Sequence, residues 1–441
     1  MKTPSQTMDR RRFLKNLSWA AAGIAGFPSI VPAAALGKNN SPAPSDRIVM
    51  AGIGFGNMGR GNLDSFLNKD DVQWVAVCDV DDNNRARARD IVNTFYGNTD
   101  CVEYTDFREL GLRRDIDAVS LAVPDHWHAL VSIACARAGF DIYGEKPLTH
   151  SLREGRALCD AVERYDRVWQ TGSWQRSEAN FRRAAEIVHN GRLGTVQKVE
   201  VGLRSGHEDY ADTKGQEAIG PPPKHLDYDL WLGPAPYAPY CPARVHANWR
   251  WNMDLGGGQL MDWVGHHVDI ALWSLGLDRS GPTKVQGVGE FPRAGVWNSP
   301  TRYYVKAVFD GGLPMDIAGG YDEILEGVKW IGERGWIRVD RGVLEAQPSE
   351  LLHERIGPAD KRLYRSTDHY QNFLDCVRNR RPTIAPCEVA HRAASVGHLG
   401  VISMALGRPI LFDPEAEAIK DDPAADRLLG RAYRSPWQLD I

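Results

Sequence analysis

Asp262 and His266 stand one helical turn apart, and Asp269 and Trp273 continue the same spacing. In a helix these four share a face, opposite an apolar stripe of Leu260, Val264, Val268, Ala271 and Leu275. An imidazole one turn from a carboxylate suits a general base steadied by an acid, and its work would be to take a proton from a hydroxyl. His267 falls near the apolar stripe and reads as a core histidine. Lys146, in Gly144-Glu145-Lys146-Pro147, adds a cation that polarises a substrate oxygen and lowers an alcohol's pKa.

A redox partner for such a proton transfer is written into Gly54-Phe55-Gly56-Asn57-Met58-Gly59. An apolar strand precedes this loop, a helix is expected after it, and Asp79 closes the next strand. That context makes a dinucleotide site, with pyrophosphate at the helix N-terminus and ribose hydroxyls on Asp79. A carboxylate there repels a 2′-phosphate and favours NAD over NADP. Arg85 and Arg87 read as residues of a solvated helix face. Pro124-Asp125-His126-Trp127-His128 and Glu145-Lys146 follow strand ends at the same sheet edge, where ligands of doubly wound sheets sit. Pro124, Asp125, His128, Glu145 and Lys146 therefore join the cofactor-binding set, with Asp125 also suited to a helix N-cap. His126 and His128 alone make no metal site without further converging ligands, and no metal is expected. Trp231, Tyr237, Tyr240, Trp249, Trp251 and Trp263 crowd the segment around the Asp262 helix; about half are expected in the core and the others suit a sugar face. Trp174, Arg176, Trp249, Arg250, Asp262 and His266 form the candidate substrate-binding set.

These residues need a scaffold that brings strand ends to one edge. Strands over 48–53, 73–78, 117–123 and 140–143 alternate with helices, one over 127–138 and another opened by the Ser151–Glu154 capping box, which predicts a parallel Rossmann sheet over 47–171. Beyond a helix over 178–190 the pattern changes. Long strand runs over 196–203, 284–290, 302–309, 315–318 and 327–339 predict an α+β domain with a large open, mostly antiparallel sheet over 172–385. The proline-rich and aromatic stretch 220–242 is expected as an ordered loop over the sheet. Helices over 369–378 and 388–406 follow, the second within a helical tail over 386–441.

Arg10-Arg11-Arg12-Phe13-Leu14-Lys15, an apolar run and Ala33-Ala34-Ala35 make a twin-arginine export leader over 1–35, followed by a polar linker over 36–46. The expected address is the periplasm, reached folded and with cofactor already inside. Losing Lys2, Arg10, Arg11, Arg12 and Lys15 with Asp9 moves the net charge from −4 to about −8. An acidic body argues against nucleic acid as partner, and no later run is long enough for membrane insertion. The 7 cysteines are scattered without a Cys-x-x-Cys pair, consistent with folding in a reducing space before export.

Taken in order, the glycine loop, Pro124-Asp125-x-x-His128, Glu145-Lys146-Pro147 and Gly256-Gly257-Gly258-x-x-x-Asp262-x-x-x-His266-x-x-Asp269 resemble the Gfo/Idh/MocA oxidoreductase family over essentially the whole mature chain. The resemblance implies catalytic roles for Lys146, Asp262 and His266, a carbohydrate or glycoside substrate, and a homodimer or homotetramer. Exported relatives include an oxidoreductase that keeps NADP and cycles it between two sugars; Asp79 departs from an NADP site. Other relatives are redox-neutral, NAD-dependent glycosidases acting by oxidation, elimination, hydration and reduction, and these tend to replace the lysine that Lys146 keeps. A sugar-binding protein with a vestigial nucleotide fold is the reading from a different class. A cofactor sealed in before export requires each reduction to be matched by an oxidation at the same site.

Overall fold

Ile48–Ile53 is almost continuously buried, as a strand covered on both faces must be. It is β1 of the computed structural model, which describes residues 46–207 and 215–439. The leader expected over 1–35 and nearly all of the linker lie outside the described residues. From β1 the chain runs through α1 (Asn57–Leu67), β2 (Val72–Cys78), α2 (Asp82–Tyr96), β3 (Val102–Tyr104), β4 (Ala118–Leu121), α3 (His128–Ala138), β5 (Asp141–Gly144), α4 (Leu152–Arg164) and β6 (Trp169–Thr171). The strands form a parallel sheet ordered β3-β2-β1-β4-β5-β6. The order reverses beside β1, so the strand carboxyl ends open a crevice there. Asp81 caps α2 by accepting from the N–H groups of Asn83 and Asn84. Half of the expected capping box forms: Ser151 Oγ accepts from Glu154 N–H, while the Glu154 carboxylate turns to Arg431 and Tyr433.

The second region contains α5 (Ala179–His189), β7 (Val196–Leu203), α6 (Gly258–Leu275), β8 (Lys284–Glu290), β9 (Arg302–Val308), β10 (Pro314–Gly319), β11 (Gly327–Gly332), β12 (Gly335–Asp340), β13 (Val343–Gln347), α7 (His369–Asn379), α8 (Cys387–Leu406), β14 (Ile410–Asp413) and β15 (Ala418–Ile419). Its sheet runs β13-β12-β11-β7-β10-β9-β8-β14-β15. Among its described strands only the β7–β10 pairing is parallel. The run read as one strand over 327–339 is a hairpin of β11 and β12. The expected helical tail also supplies β14, which pairs with β8 and extends the second sheet.

Two segments pack across the expected domain boundary. Phe373, Leu374 and Cys376 of α7 join the Rossmann core with Phe66 and Tyr143. The stretch expected over the sheet instead lies against the Rossmann crevice: Asp227 N–H donates to Val80 O, Asp82 N–H donates to His225 O, and Leu226 bridges Asp81.

Helix α6 is the axis of the second core. Except for Asp262 and Leu275 its residues are buried, so its polar face is not solvated. It packs against α5, α8 and β7. Gly258 enters it at φ +68°, where a Cβ would stand 2.6 Å from the Ser299 Cβ; both the dihedral and the contact demand glycine.

Candidate active site

The glycine loop turns from β1 into α1 with each glycine under a different constraint. Gly54 has φ +85°, and a Cβ would lie 2.5 Å from Ala122 O. At Gly59 a Cβ would come within 1.9 Å of Gly54 O, so glycine lets α1 close onto the strand turn. A Cβ on Gly56 would meet nothing within 4 Å. The open space at Gly56 fits a phosphate group approaching backbone N–H groups.

Gly54, Phe55, Gly56, Asn57 and Met58 line a cleft of about 480 Å³ together with Asp79, Pro124, Asp125, His128, Glu145 and Lys146. Gly59 sits behind the loop as its packing residue. Asp79 accepts from Phe55 N–H at 2.7 Å and Asp81 N–H at 2.9 Å. Burial pushes its pKa up to about 6, against the pull of those two hydrogen bonds. Arg85 is spent on Asp79 O, Asp82 and Glu103. Glu145 is buried, raised in pKa by that burial, and held by Asn62 Nδ2 at 3.1 Å.

Sequence reasoning missed the far wall. Leu226, Leu230, Trp231, His246 and Ala247 also face the cleft. Their only signal was the aromatic density around Trp231, which carried no information about where the segment docks. Trp249 and Arg250 do line the cleft, with the Arg250 guanidinium 4.6 Å from the Trp249 ring centroid.

At one end of the cleft Lys146 Nζ donates to Asp262 O and Asp262 Oδ1, both at 2.9 Å. Arg250 Nε stands 3.5 Å from the same carboxylate oxygen. Burial alone would raise Asp262; Lys146 and then Arg250 outweigh it and hold the carboxyl below the ordinary range. Asp125 lines the same cleft, within reach of the Asp262 charge. Burial, reinforced by the Asp262 charge, raises it to about 8 despite Arg250, Lys146 and a hydrogen bond from the Gly257 backbone. At pH 7 one carboxyl is therefore ionised and its neighbour predominantly protonated. Asp125 caps no helix: α3 follows Trp127 without a side-chain cap.

The expected Asp262–His266 pairing is absent, because Asp262 turns to Lys146. His266 is 6% exposed, and its Nδ1 is buried without a hydrogen-bond partner. Its ring lies 6.2 Å from the Trp174 centroid and 5.7 Å from that of Trp263. Burial, then the charges of Lys146 and Arg341, hold its pKa well below the ordinary value, so the imidazole is neutral.

Arg176, expected in the substrate set, is buried and does not line the cleft. Its Nε and Nη2 bond Asp269 Oδ2 and Oδ1 at 2.6 and 2.7 Å, with both side chains 2% exposed. Asp269 is thus taken up by Arg176 and does not line the cleft either. The two-pronged geometry is what stabilises a charge pair out of water. The rings of His126 and His128 are held by the backbone: all four ring nitrogens face carbonyls, of Leu255, Trp231, Pro147 and Val123, while His128 also lines the cleft. Burial drives their pKa values down to about 3 and about 4. His267 is fully buried with Nδ1 at 3.1 Å from Gly202 O. Among the described residues no group of three His, Cys, Asp or Glu side chains is placed to hold a metal, and no helix is long and apolar enough to cross a membrane.

Two family models match the chain: the "Oxidoreductase family, NAD-binding Rossmann fold" model over 47–173, and the "Oxidoreductase family, C-terminal alpha/beta domain" model over 177–302 and 347–439. A glycosyl hydrolase family 109 protein of Shewanella pealeana is 31% identical over 173 residues, covering 36% of this chain and 37% of the relative. Myo-inositol 2-dehydrogenase of Thermotoga maritima is 25% identical over 224 residues, covering 51% and 54%. The chain thus aligns with little more than a third to a half of these relatives' lengths. The crystal structure of an aldose–aldose oxidoreductase from Caulobacter crescentus, complexed with glycerol, shares the fold with TM-score 0.60 and 19% identity, over 83% of this chain and 100% of that one. The chain belongs to the Gfo/Idh/MocA oxidoreductase family.

Proposed function

We propose that this member of the Gfo/Idh/MocA family is an NAD-linked oxidoreductase acting at a hydroxyl-bearing carbon of a carbohydrate, exported folded to the periplasm with its cofactor retained. The observation that carries the reading is the Lys146–Asp262 pair at the end of a cleft floored by Gly54, Gly56 and Asp79. Those three, with Phe55, Asn57, Met58, Pro124, Asp125 and Glu145, would hold the dinucleotide. Asp79 favours NAD, since its carboxylate meets a 2′-hydroxyl and repels a 2′-phosphate. Bound there, NAD supplies a hydride acceptor and donor.

The chain's own residues handle the proton and the charge. His266, kept neutral and with Nδ1 unengaged, takes the hydroxyl proton. The Lys146 ammonium stabilises the oxygen as negative charge develops on it. Asp262 stays ionised, fixes the Lys146 Nζ position and accepts from a neighbouring sugar hydroxyl. Protonated Asp125 adds no second negative charge beside it. Trp249, Arg250 and Trp174 supply sugar-binding faces.

Mass spectrometry of the small molecule released on denaturing protein recovered from the periplasm tests cofactor and address together. NAD is the expected product. A periplasmic protein that releases no dinucleotide would sink the reading, as would normal turnover in Lys146→Met. Replacing Arg11 and Arg12 by lysine should leave the chain in the cytoplasm.

A second reading is a redox-neutral glycosidase. The likeness to family 109 glycosyl hydrolases supports it, as does the need of a sealed cofactor to be restored in each cycle. It would release nitrophenol from a nitrophenyl glycoside without net NADH; Lys146 favours the oxidoreductase.

A further inference from the structure

Beyond His266 lies a group of side chains that the hydride chemistry does not use. The Arg341 guanidinium carbon stands 4.5 Å from the Trp174 ring centroid and 4.7 Å from that of Trp263. Arg204 approaches the same Trp263 ring at 4.8 Å. With its amide oriented to satisfy both neighbours, the Gln175 oxygen accepts from Arg341 Nε at 3.2 Å and from His267 Nε2 at 3.2 Å, while its nitrogen donates to His266 O.

Arg341 is therefore held by its Nε and by contact with two indoles, and its terminal nitrogens make no ion pair among the described residues. The adjacent Asp340 carboxylate supports the guanidinium charge, but its own bonds go to other groups. Asp340 accepts from the Arg341 backbone N–H at 2.7 Å and lies 3.4 Å from His267 Nε2. Asp262 belongs to Lys146 and Arg250. Among the described residues Arg204 ion-pairs only with Glu326, at 3.5 Å, with both side chains about half exposed. Two guanidiniums on one indole repel each other: burial first, and Arg204 with it, lower the Arg341 pKa, while the charges of Asp340, Asp262 and Glu326 offset part of that effect. An anion between them removes that repulsion, and a guanidinium with its Nε already fixed keeps two donors for a two-pronged bond.

Resting on the oxidoreductase reading above, we propose that Arg341 and Arg204 form an anion-binding fork beside His266, and that the substrate is an acidic carbohydrate whose carboxylate or phosphate oxygens they hold. Trp174 and Trp263 then serve two purposes, orienting the guanidinium and facing the sugar ring.

The test is binding to NAD-loaded protein, read by tryptophan fluorescence, of D-glucuronate, D-galacturonate, D-glucose 6-phosphate, D-glucose and D-galactose. At least one acidic sugar is expected to bind about tenfold or more tighter than its neutral counterpart, as for a charged hydrogen bond. A uronate preference identifies the anion as a carboxylate, a sugar-phosphate preference as a phosphate. Arg341→Met should abolish the advantage and Arg341→Lys should restore part of it; NAD content and thermal unfolding report folding, and Arg204→Met gives the same readout if Arg341→Met unfolds. Neutral sugars binding as tightly as acidic ones, no acidic sugar binding, or a preference that survives in both methionine variants would overturn the fork. Equal NADH formation from glucose and glucuronate overturns it while leaving the oxidoreductase reading intact. Glucuronate bound through Arg341 while no sugar changes the redox state of NAD would overturn the oxidoreductase reading and leave the fork.

Discussion

Lys146 Nζ is bound twice by one residue, through the main-chain oxygen and the carboxylate of Asp262, each at 2.9 Å. The ammonium is thereby fixed at the cleft end without a second acidic side chain. Lys146→Met should lower kcat by about a thousandfold, the scale of losing one preorganised electrostatic donor. NAD content, measured by mass spectrometry, should be unchanged, because the glycine loop and Asp79 do not depend on that ammonium. Loss of NAD together with activity would make Lys146 a binding residue instead.

That pair was half legible in the sequence. Strand-end placement pointed Lys146 at the crevice, and helical spacing put Asp262 on a polar face. Which partner Asp262 takes was not legible, since helical periodicity speaks only for residues on the same helix. Arg176 shows the same limit. Its partner Asp269 lies 93 residues away, and only the folded chain reveals that the two meet out of water. The glycine loop was legible because its constraints are local: a positive φ, a close carbonyl and an open approach. The wall built by Leu226, Trp231 and His246 left no such trace, as a loop's docking partner is set by tertiary packing.

The glycines separate folding from binding. Gly59→Ala places a methyl 1.9 Å from Gly54 O and should lower Tm by several degrees, in line with a strain of about 1–3 kcal/mol. Gly56→Ala meets no protein atom within 4 Å. It should leave the Tm of cofactor-free protein unchanged and weaken NAD binding at least about tenfold, or about 1.4 kcal/mol. Thermal melts with and without NAD check both. Unaltered NAD affinity in Gly56→Ala would remove the phosphate from that space.

His266 should show no acid limb near its ordinary pKa. Burial and the charges of Lys146 and Arg341 hold it well below 6.5, so it remains unprotonated as pH falls through 6. The expected kcat/KM profile of the wild type is flat with respect to this group from pH 8 to below pH 6. His266→Asn should lower kcat by about a hundredfold or more, and Lys146→Met should raise the His266 pKa by removing a like charge, an effect readable by NMR of the imidazole. A wild-type acid limb centred near 6.5 that vanishes in His266→Asn would contradict the assigned environment.

Asp125 makes stability depend on pH. Its folded pKa is raised from 3.8 to about 8, by burial first. The native state therefore binds a proton that the unfolded chain has released, and stability falls as pH rises between about 4 and 8. Asn cannot ionise, so Asp125→Asn should match the wild type near pH 4 and surpass it increasingly toward pH 8. Urea unfolding at a series of pH values measures the difference; a gap that does not widen with pH would place the Asp125 pKa at its ordinary value.

Arg176 and Asp269 provide the complementary test, of a candidate that belongs to the core. Removing one partner strands the other charge among buried groups, and Arg176→Met or Asp269→Leu should each cost about 3–5 kcal/mol. The Arg176→Met/Asp269→Leu double variant leaves no orphaned charge at this pair and should recover much of that loss, because replacing a buried pair by apolar groups is often close to neutral. Asp278, 3.5 Å from Arg176 and about a quarter exposed, can turn to water in the double variant. Turnover per folded molecule should remain near that of the wild type, since neither side chain faces the cleft. Urea titration with steady-state kinetics separates the two quantities, and a double variant that regains stability but not turnover would return Arg176 to the substrate site.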